Sequence, residues 1–278
     1  MVFSAGIAAA EVTISGSANA GFKYNSEGNT FAGKKAAGWY EIDMDVTGTA
    51  ETDTGLTFGA RIQLDSDYAT VLDDASDDND VVGNVFVSGA FGTFTIGSGL
   101  DPVSDDDTLS DIGLDGIGID DVAEAYAYDG SADARWDYSV GALTIGASVN
   151  TVEEDYAVKV GYDFGTVAIA VAYDNDEGGE DTTQVKLSGG MGAFSGQVFY
   201  ATQDAGDSFG LYGAYKTGAL TLSAAYGKSS PDVGVDRDAF GVGAAYDLGG
   251  ATVAGGIGRI EKATGDETVA DLGVSFKF

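Results

Sequence analysis

The chain has 278 residues, with 43 glycines, two prolines, no cysteine, no histidine and a formal net charge of −32 from 45 acidic and 13 basic residues. The missing thiols and imidazoles exclude disulfides, Cys/His metal sites and catalysis of the Ser-His-Asp or Cys-His kind. So acidic a polymer repels phosphate backbones, which argues against a nucleic-acid partner and makes cations its natural mobile partners.

No run of about 18 apolar residues occurs, so no transmembrane helix is encoded. Membrane strands escape that test, because each carries only about ten residues of alternating polarity. Residues Met1–Ala10, MVFSAGIAAA, resemble the tail of a secretory signal peptide, with a small-residue cleavage region before Glu11 and no basic stretch ahead of it.

From Val12 the chain alternates. Ile14, Gly16, Ala18, Ala20, Phe22 and Tyr24 share one face of a first strand; Ser15, Ser17, Asn19, Gly21 and Lys23 share the other. In a second strand, Tyr40, Ile42, Met44 and Val46 oppose Trp39, Glu41, Asp43, Asp45 and Thr47. In a third, Phe58, Ala60, Ile62 and Leu64 oppose Gly59, Arg61, Gln63 and Asp65. Similar stretches follow at 81–90, 92–97, 132–140, 142–150, 155–163, 165–174, 181–189, 193–202, 208–216, 219–228, 238–247, 250–259 and 268–278. The count is about 16, an even number, as closed bacterial membrane barrels require. One face of these strands carries Ile14, Ile42, Phe58, Ile145, Ile169, Val185, Leu222, Val242 and Val274, the expected lipid contact. Tyrosines and phenylalanines gather near strand ends, as interfacial girdles do.

The connections sort by length. Tight glycine-containing turns near Gly92, Gly141, Phe164, Met191, Thr217 and Leu248 alternate with longer polar segments at 25–37, 66–80, 98–131, 174–181, 202–208, 229–237 and 260–267. An up-and-down barrel puts every second connection at the same end, so one end has turns and the other has loops. The fold class is therefore all-β, a 16-stranded antiparallel transmembrane barrel in a single domain over 11–278.

The longest connection is SGLDPVSDDDTLSDIGLDGIGIDDVAEAYAYDG, from Ser98 to Gly130. It carries Asp101, Asp105, Asp106, Asp107, Asp111, Asp115, Asp120, Asp121 and Glu124. Two readings stand: a loop folded into the barrel to narrow its bore, or a solvated acidic surface loop. Facing it from the polar sides of the strands are the bases Lys23, Arg61, Arg135, Lys159 and Lys186, which would set a transverse field if unpaired, or be neutralised in wall salt bridges. Asp73, Asp74, Asp77, Asp78 and Asp80 crowd another loop and are the candidate for a structural calcium site. No cofactor is otherwise called for. Carboxylates are too widespread to single out a catalytic pair, and Gly113–Gly118 lacks the lysine and the strand–glycine–helix context of a phosphate loop. No enzyme is expected.

The terminal strand VADLGVSFKF, closing on Phe278, resembles the ending of outer-membrane barrels. AEVTISG at Ala10–Gly16, VFVSGAFGTFTIGSG at Val85–Gly99, and AAYDLGG at Ala244–Gly250 followed by Gly255-Gly256 are similar to segments of the general diffusion porins of alphaproteobacterial outer membranes. The resemblance implies a homotrimer of 16-stranded barrels among outer-membrane lipid and lipopolysaccharide, passing small hydrophilic solutes and ions. It also implies a third loop, here Ser98–Ser131, folded into the bore as the pore constriction. The chain departs from that pattern in its short fourth loop, Thr151–Glu154, and its few bases. Nine acids on the loop then predict a cation preference. The alternatives are a solute-specific channel, and a secreted acidic β-protein with a cation-binding or structural role. The solute-specific channel would want a trail of lumenal aromatics, where the chain offers Trp39, Phe86, Phe199 and Tyr212.

Overall fold

The computed structural model describes residues 11–27, 34–67, 81–128, 130–263 and 265–278. The segment Met1–Ala10, the acidic stretch Asp73, Asp74, Asp77, Asp78 and Asp80, and the side chain of Asp107 lie outside the described residues. The strands are β1 (Glu11–Asn25), β2 (Ala36–Glu51), β3 (Thr57–Asp67), β4 (Val81–Gly89), β5 (Gly92–Leu100), β6 (Ala132–Val140), β7 (Leu143–Asn150) and β8 (Asp155–Asp163). They continue with β9 (Val167–Asn175), β10 (Thr182–Met191), β11 (Phe194–Gln203), β12 (Gly206–Thr217), β13 (Leu220–Pro231), β14 (Arg237–Asp247), β15 (Thr252–Lys262) and β16 (Gly265–Lys277). Each pairs antiparallel with its sequence neighbours, and β1 pairs with β16 to close the barrel. At the seam Phe278 and Gly16 exchange backbone hydrogen bonds of 2.9 and 2.8 Å. Closure leaves no strand edge unpaired, the condition for crossing hydrocarbon with strands.

The period-2 pattern decides which face looks outward. Lys23, Arg61, Arg135 and Lys159 all bond to groups inside the barrel, so the opposite parity of each strand faces out. All nine expected lipid-facing residues fall on that outer face. Ile14 (64 % exposed) and Val242 (50 %) typify it. A continuous belt of such side chains is unsuited to water and matches a bilayer core. Ring pairs such as Tyr162–Phe164 and Phe194–Tyr215, with centroids 4.7 and 4.8 Å apart, rim the barrel at its short-turn end. Tyr156–Tyr173 lies at the other end.

The connections at the loop end are more uneven than the sequence suggests. Segments 202–208 and 260–267 are nearly all strand, because β11 pairs with β12 down to Gln203–Gly206 and β15 with β16 down to Lys262–Gly265. Their polar composition reflects strand ends that project past the apolar belt, where side chains meet water on both faces.

The third loop is inside. It leaves β5 at Leu100, makes a 3-10 turn at Asp105–Asp107 and a short helix α1 (Ile119–Ala123), and rejoins the wall at β6. The inward positions of β12–β16 are unusually small: Gly210, Ala225, Gly227, Ala239, Gly241, Gly243, Gly256, Gly258 and Gly273. The loop lies on this bed. A Cβ on Gly227 would sit 2.4 Å from the Ile119 carbonyl oxygen, and one on Gly241 would sit 2.6 Å from Ile112 Cδ1, so only glycine permits the contact. Ile112, Ile117, Ile119 and Val122 are buried against Ala225, Ala239, Ile260 and Val269. Leu109 and Ala123 are buried against Phe199 and Ala201. Each fully buried aliphatic side chain contributes about 1.5–3 kcal/mol. The principal apolar core among the described residues is therefore the seam between loop and wall.

Candidate functional site

The loop is also tied to the wall by polar groups. Val103 N–H donates to Ser148 Oγ (3.0 Å), Ser104 Oγ donates to Asp174 (2.7 Å), and Gln184 Nε2 donates to the Ser104 carbonyl (2.8 Å). Gln197 and Ser110 exchange two 2.8 Å bonds. Asp271 accepts the N–H groups of Leu114 (2.6 Å), Asp115 (3.2 Å) and wall residue Gly256 (2.7 Å). Tyr128 donates to Asp155 (3.1 Å). The loop's partners are spread over β7–β11 and β16, so the segment is held along most of its length. Among the described residues this removes the surface-loop reading.

The predicted acids divide by environment. Asp106 accepts from Lys159 Nζ at 2.6 Å and from the Arg135 guanidinium. Burial acts to raise its pKa, but those two cations outweigh burial and hold it below the ordinary carboxylate value. Asp115 pairs with Lys23 at 2.7 Å. Burial, reinforced by Asp101, Asp174 and Asp106, pushes Asp105 up to about 7. Burial, with Asp111 and Asp121 nearby, raises Glu124 to about 7 even though it accepts the Leu109 N–H. Asp120 is raised by burial and by sharing a hydrogen bond with Asp111. Asp101, Asp111 and Asp121 are exposed. The nine loop acids are thus not nine equal negative charges at neutral pH.

Four of the five predicted wall bases are engaged. Arg61 makes a bidentate pair with Asp45 at 2.7 and 2.9 Å. Arg135 binds Asp137 at 2.9 Å and the Asp101 carbonyl at 3.2 Å besides Asp106. Lys159 is buried on Asp106, and Lys23 lies both on Asp115 and over the Trp39 ring, 4.2 Å from its centroid. These bases serve as anchors and wall pairs, the second of the two alternatives that the sequence leaves open. Lys186 alone of the five has no carboxylate within 4 Å among the described residues.

The sequence reading missed a group on the β2–β3 wall. Glu41, Asp43 and Asp65 bring carboxylate oxygens within 4.8 Å of one another, close enough for one hard cation to meet all three. Asp43 stands directly across from Asp65 in the β2–β3 register. The signal was present, since Glu41, Asp43 and Asp45 share one face in sequence. Their convergence with Asp65 depends on the turn at 52–56, which sets that register. The inward aromatics form no trail. Phe86 covers Gly59, while Phe199 and Tyr212 lie against the loop.

The closed 16-stranded barrel agrees with comparisons to known proteins. A porin of Fuscovulum blasticum is 25 % identical over 269 residues, 85 % of this chain and 90 % of that protein. A porin of Rhodobacter capsulatus is 28 % identical over 218 residues, 69 % of this chain and 67 % of that protein. A solved structure of a Rh. blastica porin mutant superimposes with a TM-score of 0.77, covering 96 % of this chain and all of that one at 23 % identity, which speaks to the fold. The profile of Gram-negative porins matches residues 1–265. The chain belongs to the Gram-negative porin family, whose outer-membrane barrels are channels and not enzymes.

Proposed function

We propose that this outer-membrane channel passes small hydrophilic solutes and prefers cations, that it works as a homotrimer, and that it reaches its membrane by export through the periplasm. The observation carrying the cation preference is the placement of charge. Lys23, Arg61, Arg135 and Lys159 are each held by a carboxylate, so their fields are largely cancelled. Asp43 on the β2 wall and Asp101 and Asp111 on the loop leave the water-filled space net negative. A low-dielectric wall focuses that potential into the bore.

The measurement is the reversal potential of purified protein in a planar bilayer under a potassium chloride gradient. The sign should be that of a cation-selective pore. The preference should shrink as salt rises, because the Debye length falls from about 10 Å at 0.1 M to about 3 Å at 1 M. Anion selectivity at low salt would refute the reading. The trimer rests mainly on the resemblance to the porins; the small outward residues Ala18 and Ala20 of β1 are compatible with close approach of a second barrel. Light scattering after gentle extraction tests it, and a monomer would count against it.

A further inference from the structure

A cavity of about 590 Å³ opens between the loop and the loop-side ends of β14–β16 and β1. The wall contributes Lys23, Arg237 and Lys262; the loop contributes Asp111, Asp115, Asp120 and Asp121; Ile117, Ile260 and Val269 supply an apolar surface. Two of the bases are committed, Lys23 to Asp115 at 2.7 Å and Lys262 to Glu267. Arg237 is different. Among the described residues it has no carboxylate within 4 Å, and its Nε is buried without a hydrogen-bond partner. A guanidinium desolvated on one edge and unpaired is a strong receptor for a carboxylate. Across from it Asp111 and Asp121 present exposed carboxylates; burial and the charge of Asp111 raise the Asp121 pKa, and the charges of Arg237 and Lys23 oppose them.

We propose that this cavity is a transit subsite for zwitterionic α-amino acids with apolar side chains. The carboxylate pairs with Arg237, the ammonium with Asp121 and Asp111, and the side chain lies on Ile260 and Val269. A simple anion would meet the loop carboxylates, and a simple cation would meet Arg237. Only a molecule with both charges satisfies both sides. The volume is within the range of about 300–1,000 Å³ common for small-molecule sites. The proposal rests on the channel reading, since the cavity must communicate with the bore for the solute to pass.

The test uses leucine, leucinol and 4-methylpentanoate, which share a side chain but carry both charges, the cation only and the anion only. Each is added to purified channels in a bilayer at neutral pH, and titrated calorimetrically into the detergent-solubilised protein. Leucine should bind and reduce the ion current about tenfold more strongly than either single-charge analogue, the effect of one charge-assisted bond. Arg237→Gln should bring leucine down to the level of leucinol, and Arg237→Lys should restore part of the difference. Equal effects of the three solutes on the parent, or full leucine sensitivity in Arg237→Gln, would overturn the subsite. The three-solute comparison decides even if the variant fails to fold. Protein that conducts but does not distinguish leucine refutes the subsite alone. Protein that binds leucine selectively yet conducts nothing supports the subsite and refutes the channel.

Discussion

Gly227→Val tests whether the loop is held by its bed of glycines. The added Cβ would lie 2.4 Å from the Ile119 carbonyl oxygen, 2.8 Å from the Ala123 nitrogen and 3.2 Å from the Ala123 Cβ. Two of these are backbone atoms, so no rotamer change relieves the clash and α1 must move by about 1 Å to regain van der Waals distance. Overpacking of this kind costs about 1–3 kcal/mol, and the displacement also spoils burial of Ile119, which is fully enclosed. The barrel itself should close as before, because Gly227 keeps its ladder partners Gly210 and Ala239. The expected result is an altered, noisier single-channel conductance and new protease cleavage within 100–131, with unchanged strand content by circular dichroism. Gly48→Val is the control: a Cβ there has nothing within 4 Å. If Gly227→Val conducts and resists protease like the parent, the loop does not depend on this contact and the packing argument is wrong.

Ile169→Arg places a charge on the lipid face at mid-strand and should cost about 2–4 kcal/mol in bilayer folding titrations; unchanged stability would mean the strand phase is wrong there. Cation preference should strengthen as pH rises from 6 to 8, because Asp105 and Glu124, both raised to about 7 chiefly by burial, are protonated below that value and become negative above it; a flat profile would remove them from the conducting space. Asp106→Asn should lower cation preference more than Asp105→Asn at pH 7, since Lys159 and Arg135 hold Asp106 ionised against its burial while burial raises Asp105 to about 7; equal reversal potentials would refute that. Neutralising Glu41, Asp43 and Asp65 together should reduce cation preference, read as the reversal potential under a salt gradient; an unchanged value would remove them from the conducting space.

Strand number, strand phase and the lipid face were legible because a period of two is a local property: Ile14 through Val274 could be assigned without knowing which strands pair. The inserted loop was legible as an anomaly of length and charge at Ser98–Gly130. Its resting place was not, although the sequence held a clue. The inward positions Gly210, Gly227, Gly241, Gly243, Gly256, Gly258 and Gly273 carry no side chain, and wall glycines facing a loop with Ile112, Ile117 and Ile119 mark a docking surface. The charge balance was the least legible. Counting acids treats Asp106 and Asp111 alike, but one is clamped between two cations and the other meets solvent. That difference arises from contacts across 29 and 53 residues of sequence, which no local pattern reports.

The seam between Gly16 and Phe278 has a consequence for assembly. Fifteen of the sixteen ladders join neighbours in sequence and can zip as hairpins as soon as their turns form. The remaining ladder joins opposite ends of the chain, so its loop-closure entropy is the largest in the molecule and it forms last. Until then the growing sheet exposes two raw edges, β1 and β16, each able to template pairing with another copy. Shielding β1 until β16 arrives is therefore the step at which this barrel is most exposed to aggregation, and weakening the Phe278–Gly16 contact should slow closure far more than it destabilises the closed barrel.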